Sequence, residues 1–289
     1  MKISGRKGIG YLSHNNRNFI PKNVDYTRTH RNHIYKQQSL EKAYDTCFKE
    51  SFETYNNSVR KDRRYDGSYL EKIRHSKSKN PPREYYEWII QVGDKNSCGY
   101  TTANYVIAEK ILHEYMKGFI ERNPQLYVFN CVMHRDESTP HIHVNFIPIA
   151  YFEKGQKIRN SLDKALEQMG HGKSNNRKDT NTMRWQKQER EILRQISRSY
   201  GLNIDDEQRN SNKHLDNSEY KILANTLEQK RIEINALNSI HNNSLLDLVK
   251  IFRKNPYIIN TINRALNIIL GNETIPMEKS HSSFIDRNR

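Results

Sequence analysis

The chain has 289 residues, a formal net charge of +15 and an isoelectric point of about 9.6. No apolar run reaches the length of a membrane span, and the first residues lack the apolar core of a secretory signal, so we expect neither a membrane protein nor a secreted one. The three cysteines form neither a Cys-x-x-Cys pair nor an even framework, which favours a reduced, cytoplasmic compartment. A charge excess of this size predicts a polyanionic partner, and nucleic acid is the first candidate.

Two polar clusters open the chain before the first predicted helix. One is His14-Asn-Asn-Arg17, and the other runs from Asn23 to Tyr35. Both mix histidine and arginine with small amide or hydroxyl groups, which are the side chains that bind phosphates and hold a nucleophile near them. A basic surface loop fits the same composition, since residues 1–80 hold 18 Lys and Arg against 8 Asp and Glu.

The next segments predict a helix, a loop, a strand and a second helix. Ser39 can cap an amphipathic helix that extends to about residue 56. Residues 60–83 are rich in Lys, Arg, Ser and Asn, and they predict a loop that is mobile or orders on DNA. Residues 84–92 have a strongly apolar centre, which predicts a strand in the interior of a sheet. A second amphipathic helix, capped at Thr101 or Thr102, follows.

Residues 126–133 and 141–147 form two runs of β-branched and aromatic residues, separated by Asp, Ser, Thr and Pro. This pattern predicts an antiparallel hairpin, and helices packed on such a sheet give the α+β class. His141 and His143 share one face, because side chains two residues apart in a strand point the same way. The hairpin brings His134 back beside them.

Three imidazoles on one face predict an open metal site, since neutral nitrogens bind a divalent ion and leave positions free for water or a phosphate oxygen. Asp136 and Glu137 are expected to orient the imidazole N–H groups or to add a fourth ligand. Imidazole ligation favours Mn²⁺, which we expect, or Co²⁺, Ni²⁺ or Zn²⁺, over Mg²⁺. Three polar histidines on a hydrated hairpin are the alternative, but the acidic turn and the strand context favour the metal.

The rest of the chain predicts helices. Residues 161–170 and 182–200 predict helices that end at a glycine, with a basic loop between them. We predict a first domain over residues 1–202, a linker over 203–217 and a helical extension over 218–289. The extension would be an accessory region or the contact of a homodimer, since its apolar residues are spaced for two or three amphipathic helices.

Three blocks of this sequence resemble motifs of the Mob/Pre family of plasmid mobilisation and recombination enzymes, the MobV type of relaxase among the HUH endonucleases. His14-Asn-Asn-Arg17 matches the HNxR block, Asn23 to Asn32 matches the second motif, and His134-x-Asp-Glu-x-Thr-Pro-His141-x-His143 matches the metal motif throughout. Weaker similarity extends the resemblance to about residues 10–201, which implies an HUH relaxase-like fold for the first domain. The second motif usually ends in Asn-Tyr, whereas this chain has Asn32-His33.

The resemblance implies a relaxase that nicks single-stranded DNA at an origin of transfer, forms a covalent 5′-phosphate adduct and serves plasmid mobilisation or recombination. It implies His14 as the nucleophile, with Tyr35 and Tyr26 as alternatives because the motif tyrosine is replaced. Asp25 and Glu137 would orient groups or accept protons. The implied metal ligands are His134, His141 and His143, and the implied DNA-binding residues are Arg17, Arg28 and Arg31.

Two other functions stay open. A rolling-circle replication initiator or a single-strand transposase of the HUH group would share the metal histidines, but it would use a tyrosine on a later helix, for which Tyr200 is the candidate. A non-catalytic nucleic-acid-binding protein would hold a structural zinc. Such a site normally closes with four protein ligands, often cysteines, and none of the three cysteines has the usual spacing.

Overall fold

The computed structural model describes residues 1–8, 10–21 and 23–205, and further along the chain only 225–226, 229–235, 260–261, 263–264 and 267. The chain divides into two compact units, Met1–Gln208 and Arg209–Arg289. The strands are β1 (Ile3–Lys7), β2 (His33–Gln37), β3 (Tyr86–Val92), β4 (Leu126–His134), β5 (His141–Pro148), β6 (Ala150–Tyr151) and β7 (Ile158–Arg159). The α-helices are α1 (Leu12–Asn15), α2 (Leu40–Ser58), α3 (Tyr69–Arg74), α4 (Tyr105–Lys117), α5 (Phe119–Arg122), α6 (Leu162–Leu166) and α7 (Asn181–Ser199).

Five antiparallel strands form the main sheet, in the order β1-β3-β5-β4-β2. The predicted α+β class is confirmed, and so are the hairpin of β4 and β5 and the interior position of β3. The edge strands β1 and β2 were not predicted from the sequence. Edge strands often carry charged side chains that discourage pairing with other chains, so the Lys, Arg and His in these two strands conceal the alternation that marks a half-buried strand.

One face of the sheet packs against α4 and α7. Trp88 and Ile90 of β3 alternate onto this face together with Ile142 and Val144 of β5, and all four are buried. They form one core with Leu112 of α4 and with apolar residues of α7. The predicted packing of helices on the sheet is therefore confirmed, and we call this side the helix-covered face.

A buried carboxylate fastens α7 to the two helices beside it. Glu189 of α7 accepts hydrogen bonds from the Tyr115 hydroxyl, from Arg122 at 3.2 Å and from Asn123 at 3.0 Å. Trp185 donates to the same Asn123 at 2.7 Å. An unpaired buried charge is strongly destabilising, so this network fixes where α7 lies.

The opposite face of the sheet has an apolar half and a polar half. In the apolar half, Phe129 and Ile147 pack under α2 and α3. Helix α3 corrects the prediction that residues 60–83 form a loop. Ser68 and Glu71 make a reciprocal capping box at its start, and this Ser-x-x-Glu spacing was the signal available in the sequence.

The other helices predicted within residues 1–202 are confirmed with shifted ends. Helix α4 begins after Asn104 rather than after Thr101 or Thr102, and Gly118 separates it from α5. Helix α6 continues into a π-helical turn that contains Gly170 at φ 91°. A left-handed φ of this kind favours glycine, so the glycine predicted to end this helix does so.

The second compact unit is described only in part. Its described residues at 229–235 are helical. The predicted linker over 203–217 and extension over 218–289 lie mostly outside the described residues, so the three-part division of the chain stays a prediction. Within the part of the chain that the structure describes, no helix is both long and apolar enough to cross a membrane.

The packing of α4 on the sheet can be tested by a pair of substitutions on that helix. Leu112→Ala should lower the free energy of unfolding by about 2–5 kcal/mol, because it opens a cavity in the fully buried core. Val106→Ala on the exposed side of α4 should change it by about 0.5 kcal/mol or less. Denaturant unfolding followed by circular dichroism measures both, and equal losses would contradict this placement of α4.

Candidate metal centre and active site

Three histidines converge in the polar half of the sheet, as the sequence predicts. The register pairs His134 with His141 across β4 and β5, and pairs Val132 with His143. Paired residues share a face, so all three imidazoles lie together. Their ring centroids are 4.7–5.2 Å apart, and all three side chains are buried.

Each of the three rings has one nitrogen fixed by a neighbouring oxygen. Nε2 of His134 lies 2.8 Å from the carbonyl oxygen of Asn15, and Nδ1 of His141 lies 2.9 Å from that of Thr139. Nδ1 of His143 lies 2.8 Å from the Glu87 carboxylate. Carbonyl and carboxylate oxygens only accept hydrogen bonds, so the ring nitrogen facing each of them carries the hydrogen. The other nitrogen of each ring therefore has a free lone pair.

These free nitrogens fit a divalent metal ion. Nδ1 of His134 and Nε2 of His143 are buried and have no hydrogen-bond partner among the described residues. Oε1 of Glu137 lies 3.6 Å from Nδ1 of His134 and 3.8 Å from Nε2 of His141. His134, Glu137 and His141 have ligand atoms within 4.8 Å of one another, and so do His14, His134 and His143. Buried imidazole nitrogens left without a partner are explained if they bind a metal.

The protonation states of the cluster also suit a metal ligand set. Burial lowers the pKa of His141 to about 3 and lowers the pKa of His143 as well. Burial would raise the pKa of Glu137, but contacts with His134, His141 and Arg17 outweigh it and hold that pKa well below its usual range. At neutral pH the two histidines are neutral and the carboxylate is ionised, which are the forms that bind metal.

A buried network of hydrogen bonds lies next to the histidine cluster and fixes the side chains that contact it. Asn15 donates to the Glu87 carboxylate at 2.6 Å and to Asn145 at 3.0 Å, and Asn130 donates to Asn145 at 3.0 Å. Burial would raise the pKa of Glu87, but hydrogen bonds from His143 and Asn15 lower it to about 2. An ionised Glu87 thus holds His143 in one orientation.

Glu87 and Asn145 belong to the site but were not predicted from the sequence. A charged residue inside an otherwise apolar strand signals a buried partner, and Glu87 is such a residue in β3. Asn145 follows His143 by two positions in β5, so it lies on the same face. Both signals exist in the sequence, but neither shows which residues the side chains contact.

His14 lies at the open side of the cluster. Its ring centroid is 5.6 Å from those of His134 and His143, and its side chain is 26 % exposed. Nε2 of His14 lies 3.6 Å from Glu137 and 3.4 Å from a guanidinium nitrogen of Arg17. Burial and the charge of Arg17 lower the pKa of His14, so the ring is neutral at neutral pH. The sequence-predicted nucleophile and the predicted metal ligands therefore share one site.

Arg17 occupies a backbone position that normally belongs to glycine. Helix α1 ends in a Schellman turn, in which Arg17 N–H donates to the His14 carbonyl and Asn18 N–H donates to that of Ser13. Arg17 has φ 54° in this turn, the one positive φ of a non-glycine residue among those described. Such a conformation is strained for arginine, so the side chain must provide the compensation.

The compensation is a buried ion pair. The Arg17 guanidinium donates to both carboxylate oxygens of Asp136, at 2.9 and 2.6 Å, and to Glu137 at 2.8 Å. Its remaining N–H groups face the carbonyl and Nε2 of His14. All five donors are thus engaged within the protein. The prediction that Arg17 binds a DNA phosphate does not fit this geometry.

Asp136 joins both N-terminal polar clusters to the hairpin turn. Besides Arg17 it accepts hydrogen bonds from Thr29 at 3.0 Å and Asn32 at 2.8 Å, and its backbone carbonyl accepts from Asp25 N–H. Burial would raise the pKa of Asp136, but the bonds from Arg17 and Asn32 outweigh it and lower the pKa to about 2. This corrects the prediction that Asp136 orients an imidazole or binds the metal, since its oxygens bind other groups.

The other predicted residues of the second motif lie around the hairpin turn. The Asp25 carboxylate accepts from Thr27 and from Arg28 at 2.8 Å, so it caps the 3₁₀ helix Tyr26–Arg31. Its part in proton transfer stays a prediction, and these contacts favour a positioning role. Arg28 also donates to the Arg135 carbonyl at 2.9 Å, whereas the Arg31 guanidinium donates only to the Tyr100 hydroxyl among the described residues. Of the three predicted phosphate-binding arginines, Arg31 therefore keeps the most free donors.

The two alternative tyrosine nucleophiles lie apart from the histidine cluster. The Tyr35 hydroxyl bonds to Nδ1 of His113 at 2.7 Å, and His113 belongs to α4 on the helix-covered face. Burial raises the pKa of Tyr35, which disfavours the phenolate. Tyr26 is exposed in the 3₁₀ helix of the second motif. Only His14, of these three side chains, contacts the cluster in the described structure.

The sequence profile of the Mob_Pre family, described as plasmid recombination enzyme, matches residues 17–171. The match spans 155 of the 289 residues. The chain belongs to the Mob/Pre family. The matched range contains Arg17, the hairpin and the three buried histidines, whereas His14 precedes it. No curated protein matches this Mob/Pre chain.

Structures of another Mob/Pre protein, the MobM relaxase domain bound to oriT DNA of plasmid pMV158, are similar at low identity. A Mn-bound crystal structure with 22 nucleotides at pH 5.5 is 21% identical, has a TM-score of 0.46 and is aligned over 77% of this chain and 100% of that chain. A Mn-bound structure with 23 nucleotides at pH 6.5 is 19% identical and has a TM-score of 0.43. It is aligned over 78% of this chain and 98% of that chain. A complex with 26 nucleotides is 20% identical and has a TM-score of 0.31. It is aligned over 65% of this chain and 97% of that chain. The family assignment rests on the sequence profile.

The role of Glu87 in this Mob/Pre chain can be tested by metal binding. His143→Ala should abolish tight Mn²⁺ binding, because it removes a ligand. Glu87→Gln should weaken binding about 10- to 100-fold, because the neutral amide orients His143 less firmly. Glu84→Gln, the same change on the partly exposed Glu84 just before β3, should leave binding unchanged. Calorimetric titration with Mn²⁺ compares the variants, and equal affinity in Glu87→Gln and Glu84→Gln would exclude a positioning role.

The buried ion pair can be tested by a double-mutant cycle. Arg17→Ala should lower the free energy of unfolding by about 3–5 kcal/mol, because it leaves the fully buried Asp136 carboxylate without its cation. The loss in the double variant Arg17→Ala with Asp136→Ala should be clearly smaller than the sum of the two single losses. Arg60→Ala, which breaks an exposed pair with Asp62, should have little effect in the same denaturant experiment. Additive losses would show that Arg17 and Asp136 do not act as a pair.

Proposed function

We propose that this chain is a relaxase that nicks single-stranded DNA at an origin of transfer and rejoins it during plasmid mobilisation or recombination. The observation that carries the proposal is the partly exposed His14 beside three buried histidines, two of which have a buried nitrogen without a hydrogen-bond partner among the described residues. Family membership supports a plasmid recombination enzyme, and the chemistry of the site supports strand transfer at a phosphodiester. Mn²⁺ and origin-of-transfer DNA, which the MobM structures hold, are the matching probes.

His14 is the proposed nucleophile. Arg17 points an N–H toward its Nε2, so that nitrogen carries a lone pair, and the His14 side chain is 26 % exposed. The lone pair must leave the Arg17 N–H before it attacks. In the reaction Nε2 forms a bond to phosphorus and the bond from phosphorus to the 3′ oxygen breaks. The 5′ phosphate stays on His14, and the 3′ oxygen leaves and takes a proton from solvent. Attack by a 3′ hydroxyl on the same phosphorus reverses the step and rejoins the strand.

His134, His141 and His143 are the proposed metal ligands, with Glu137 as a carboxylate ligand beside them. A divalent ion bound there supplies positive charge to a non-bridging oxygen of the scissile phosphate. Glu137 is a weak proton acceptor because the Arg17 guanidinium keeps it ionised, so we assign it to ligation and to orienting His14 rather than to base catalysis. A mixed set of imidazole and carboxylate suits Mn²⁺, with Co²⁺, Ni²⁺ and Zn²⁺ as alternatives.

Of the three predicted DNA-binding arginines, we propose that Arg31 contacts the strand directly. Arg31 has free donors at the edge of the hairpin turn, which makes it the proposed phosphate ligand of the second motif. Arg17 and Arg28 act indirectly, because their donors bind carboxylates and carbonyl oxygens of the turn. The charge of +15 supplies the general attraction to DNA, which does not depend on sequence.

The two alternative functions have less support. A tyrosine-dependent initiator or transposase would need Tyr200 at the metal, but Tyr200 follows α7, which packs on the helix-covered face. A structural zinc site would be closed by four protein ligands, often including cysteine, and neither candidate metal group among the described residues contains a cysteine. The exposed side of His14 leaves the site open to a substrate.

The proposed reaction indicates the compartment of the protein but not its oligomeric state. An enzyme that processes plasmid DNA works where the plasmid is, so we propose a cytoplasmic location. A homodimer through the C-terminal helices stays a prediction, because most of those residues lie outside the described part of the chain.

The reaction can be tested by trapping the covalent product. Single strands labelled at the 3′ end, which stays with the covalently held fragment, cover the DNA around the gene for this chain. They are incubated with the full chain and Mn²⁺ and then run on a denaturing protein gel. We expect an adduct with the parent chain, with Tyr26→Phe and with Tyr35→Phe, and none with His14→Ala. An adduct that persists in His14→Ala and disappears in either tyrosine variant would move the nucleophile to that tyrosine.

The chemistry of the linkage gives an independent test. A bond from histidine nitrogen to phosphorus hydrolyses in mild acid and survives base, whereas a phosphotyrosine ester survives the acid treatment. The adduct of the parent chain should therefore be lost after mild acid and kept after mild base. An acid-stable adduct would contradict His14 as the nucleophile without contradicting the relaxase function.

A further inference from the structure

Three large apolar side chains stand exposed in the segment 11–20, which contains His14. Tyr11 is 60% exposed, Phe19 is 43% exposed and Ile20 is 59% exposed. The rings of Tyr11 and Phe19 are 5.8 Å apart, and the Phe19 ring is 6.5 Å from the ring of His14. Each side chain alone would be unremarkable on a protein surface, but a group of them at the rim of a reactive site marks a binding surface.

The backbone holds this aromatic pair in place. Tyr11 is the N-cap of α1 and its carbonyl accepts from His14 N–H and Asn15 N–H. The Schellman turn after α1 reverses the chain and returns Phe19 to the side of Tyr11. The Arg17 ion pair fixes that turn to the hairpin, so the rings are positioned relative to the site although they make few apolar contacts.

We propose that Tyr11 and Phe19 form a stacking platform for the unpaired nucleobase next to the scissile phosphate. This inference rests on the proposed function, and it names the part of the substrate that the surface takes. The Phe19 ring lies 6.5 Å from the His14 ring, so a strand whose phosphate lies at His14 can place the neighbouring base against Phe19.

The exposed rings of the platform suit an unpaired nucleobase. Unpaired bases present a flat aromatic face that stacks on Phe or Tyr, and their phosphates follow a positively charged surface. A double-stranded segment keeps its bases stacked inside the helix, so the platform would select single strands. Because every base has such a face, the platform positions the strand at the site without reading its sequence.

The test uses oligo-dT of 20 nucleotides in which every third thymidine is replaced by 5-iododeoxyuridine. Long-wavelength irradiation joins iodouracil to an aromatic ring stacked on it, and peptide mass spectrometry locates the bond. The chain carries His14→Ala, so the readout does not depend on nicking. We expect crosslinks at Tyr11 or Phe19 with the single strand and none with the same strand annealed to oligo-dA.

Binding of the same oligonucleotide supplies the second measurement. Phe19→Ala should lose the crosslink at position 19 and bind about 5- to 150-fold more weakly, whereas Phe19→Tyr, which keeps a ring, should retain that crosslink and the affinity. Tyr151→Ala is the matched control, since Tyr151 is 53% exposed on β6, outside the site. Melting temperatures equal to the parent establish that the variants fold.

Crosslinks only at other residues, together with unchanged affinity in Phe19→Ala, would overturn the platform. That result is distinct from failure of the proposed reaction, which appears as a missing covalent adduct in the chain that keeps His14. An adduct without platform crosslinks would retain the relaxase and reject the platform. Platform crosslinks without an adduct would establish a single-strand surface on a chain with another chemistry.

Discussion

One buried carboxylate holds the active site together. Asp136 lies in the hairpin turn and binds Arg17 from the first polar cluster and Asn32 from the second, so three distant segments meet at a single charge. Neither Arg17 nor Asp136 reaches water to any large extent, and each would be destabilising without the other. The strained backbone at Arg17 persists because this pair requires it. The pair thus couples the stability of the fold to the position of His14.

Hydrogen bonds fix the orientation of the three buried histidines. Each buried ring is fixed by an oxygen from a different part of the chain: the end of α1, the hairpin turn, or strand β3. The fixed nitrogen determines which nitrogen is left free, and burial keeps the rings of His141 and His143 neutral. The fold therefore sets the geometry of the three histidines, which would lower the cost of ordering them around the proposed ion.

The parts of this structure that could be predicted from the sequence are those that follow from short-range residue patterns. The hairpin, the shared face of His141 and His143, and the main helices follow from periods of two and 3.6 residues. The edge strands could not be predicted, because they are short and charged. The partners of Arg17 were also beyond reach, since 119 residues separate it from Asp136 and nothing local distinguishes an arginine that binds a phosphate from one that binds a carboxylate. Glu87 has a signal in its own strand, but its contact with His143 appears only when β3 and β5 pair.

The order of the strands has a consequence for synthesis on the ribosome. In the sheet β1-β3-β5-β4-β2, the central strand β5 is the last of the five to be translated. Before it emerges, β1 can pair only with β3 and β2 only with β4, and nothing joins the two halves. Strand β5 joins them and brings His141 and His143 with it. A truncated translation product that stops short of residue 141 therefore has neither a continuous sheet nor the cluster of three histidines, so the proposed site exists only when the sheet is complete.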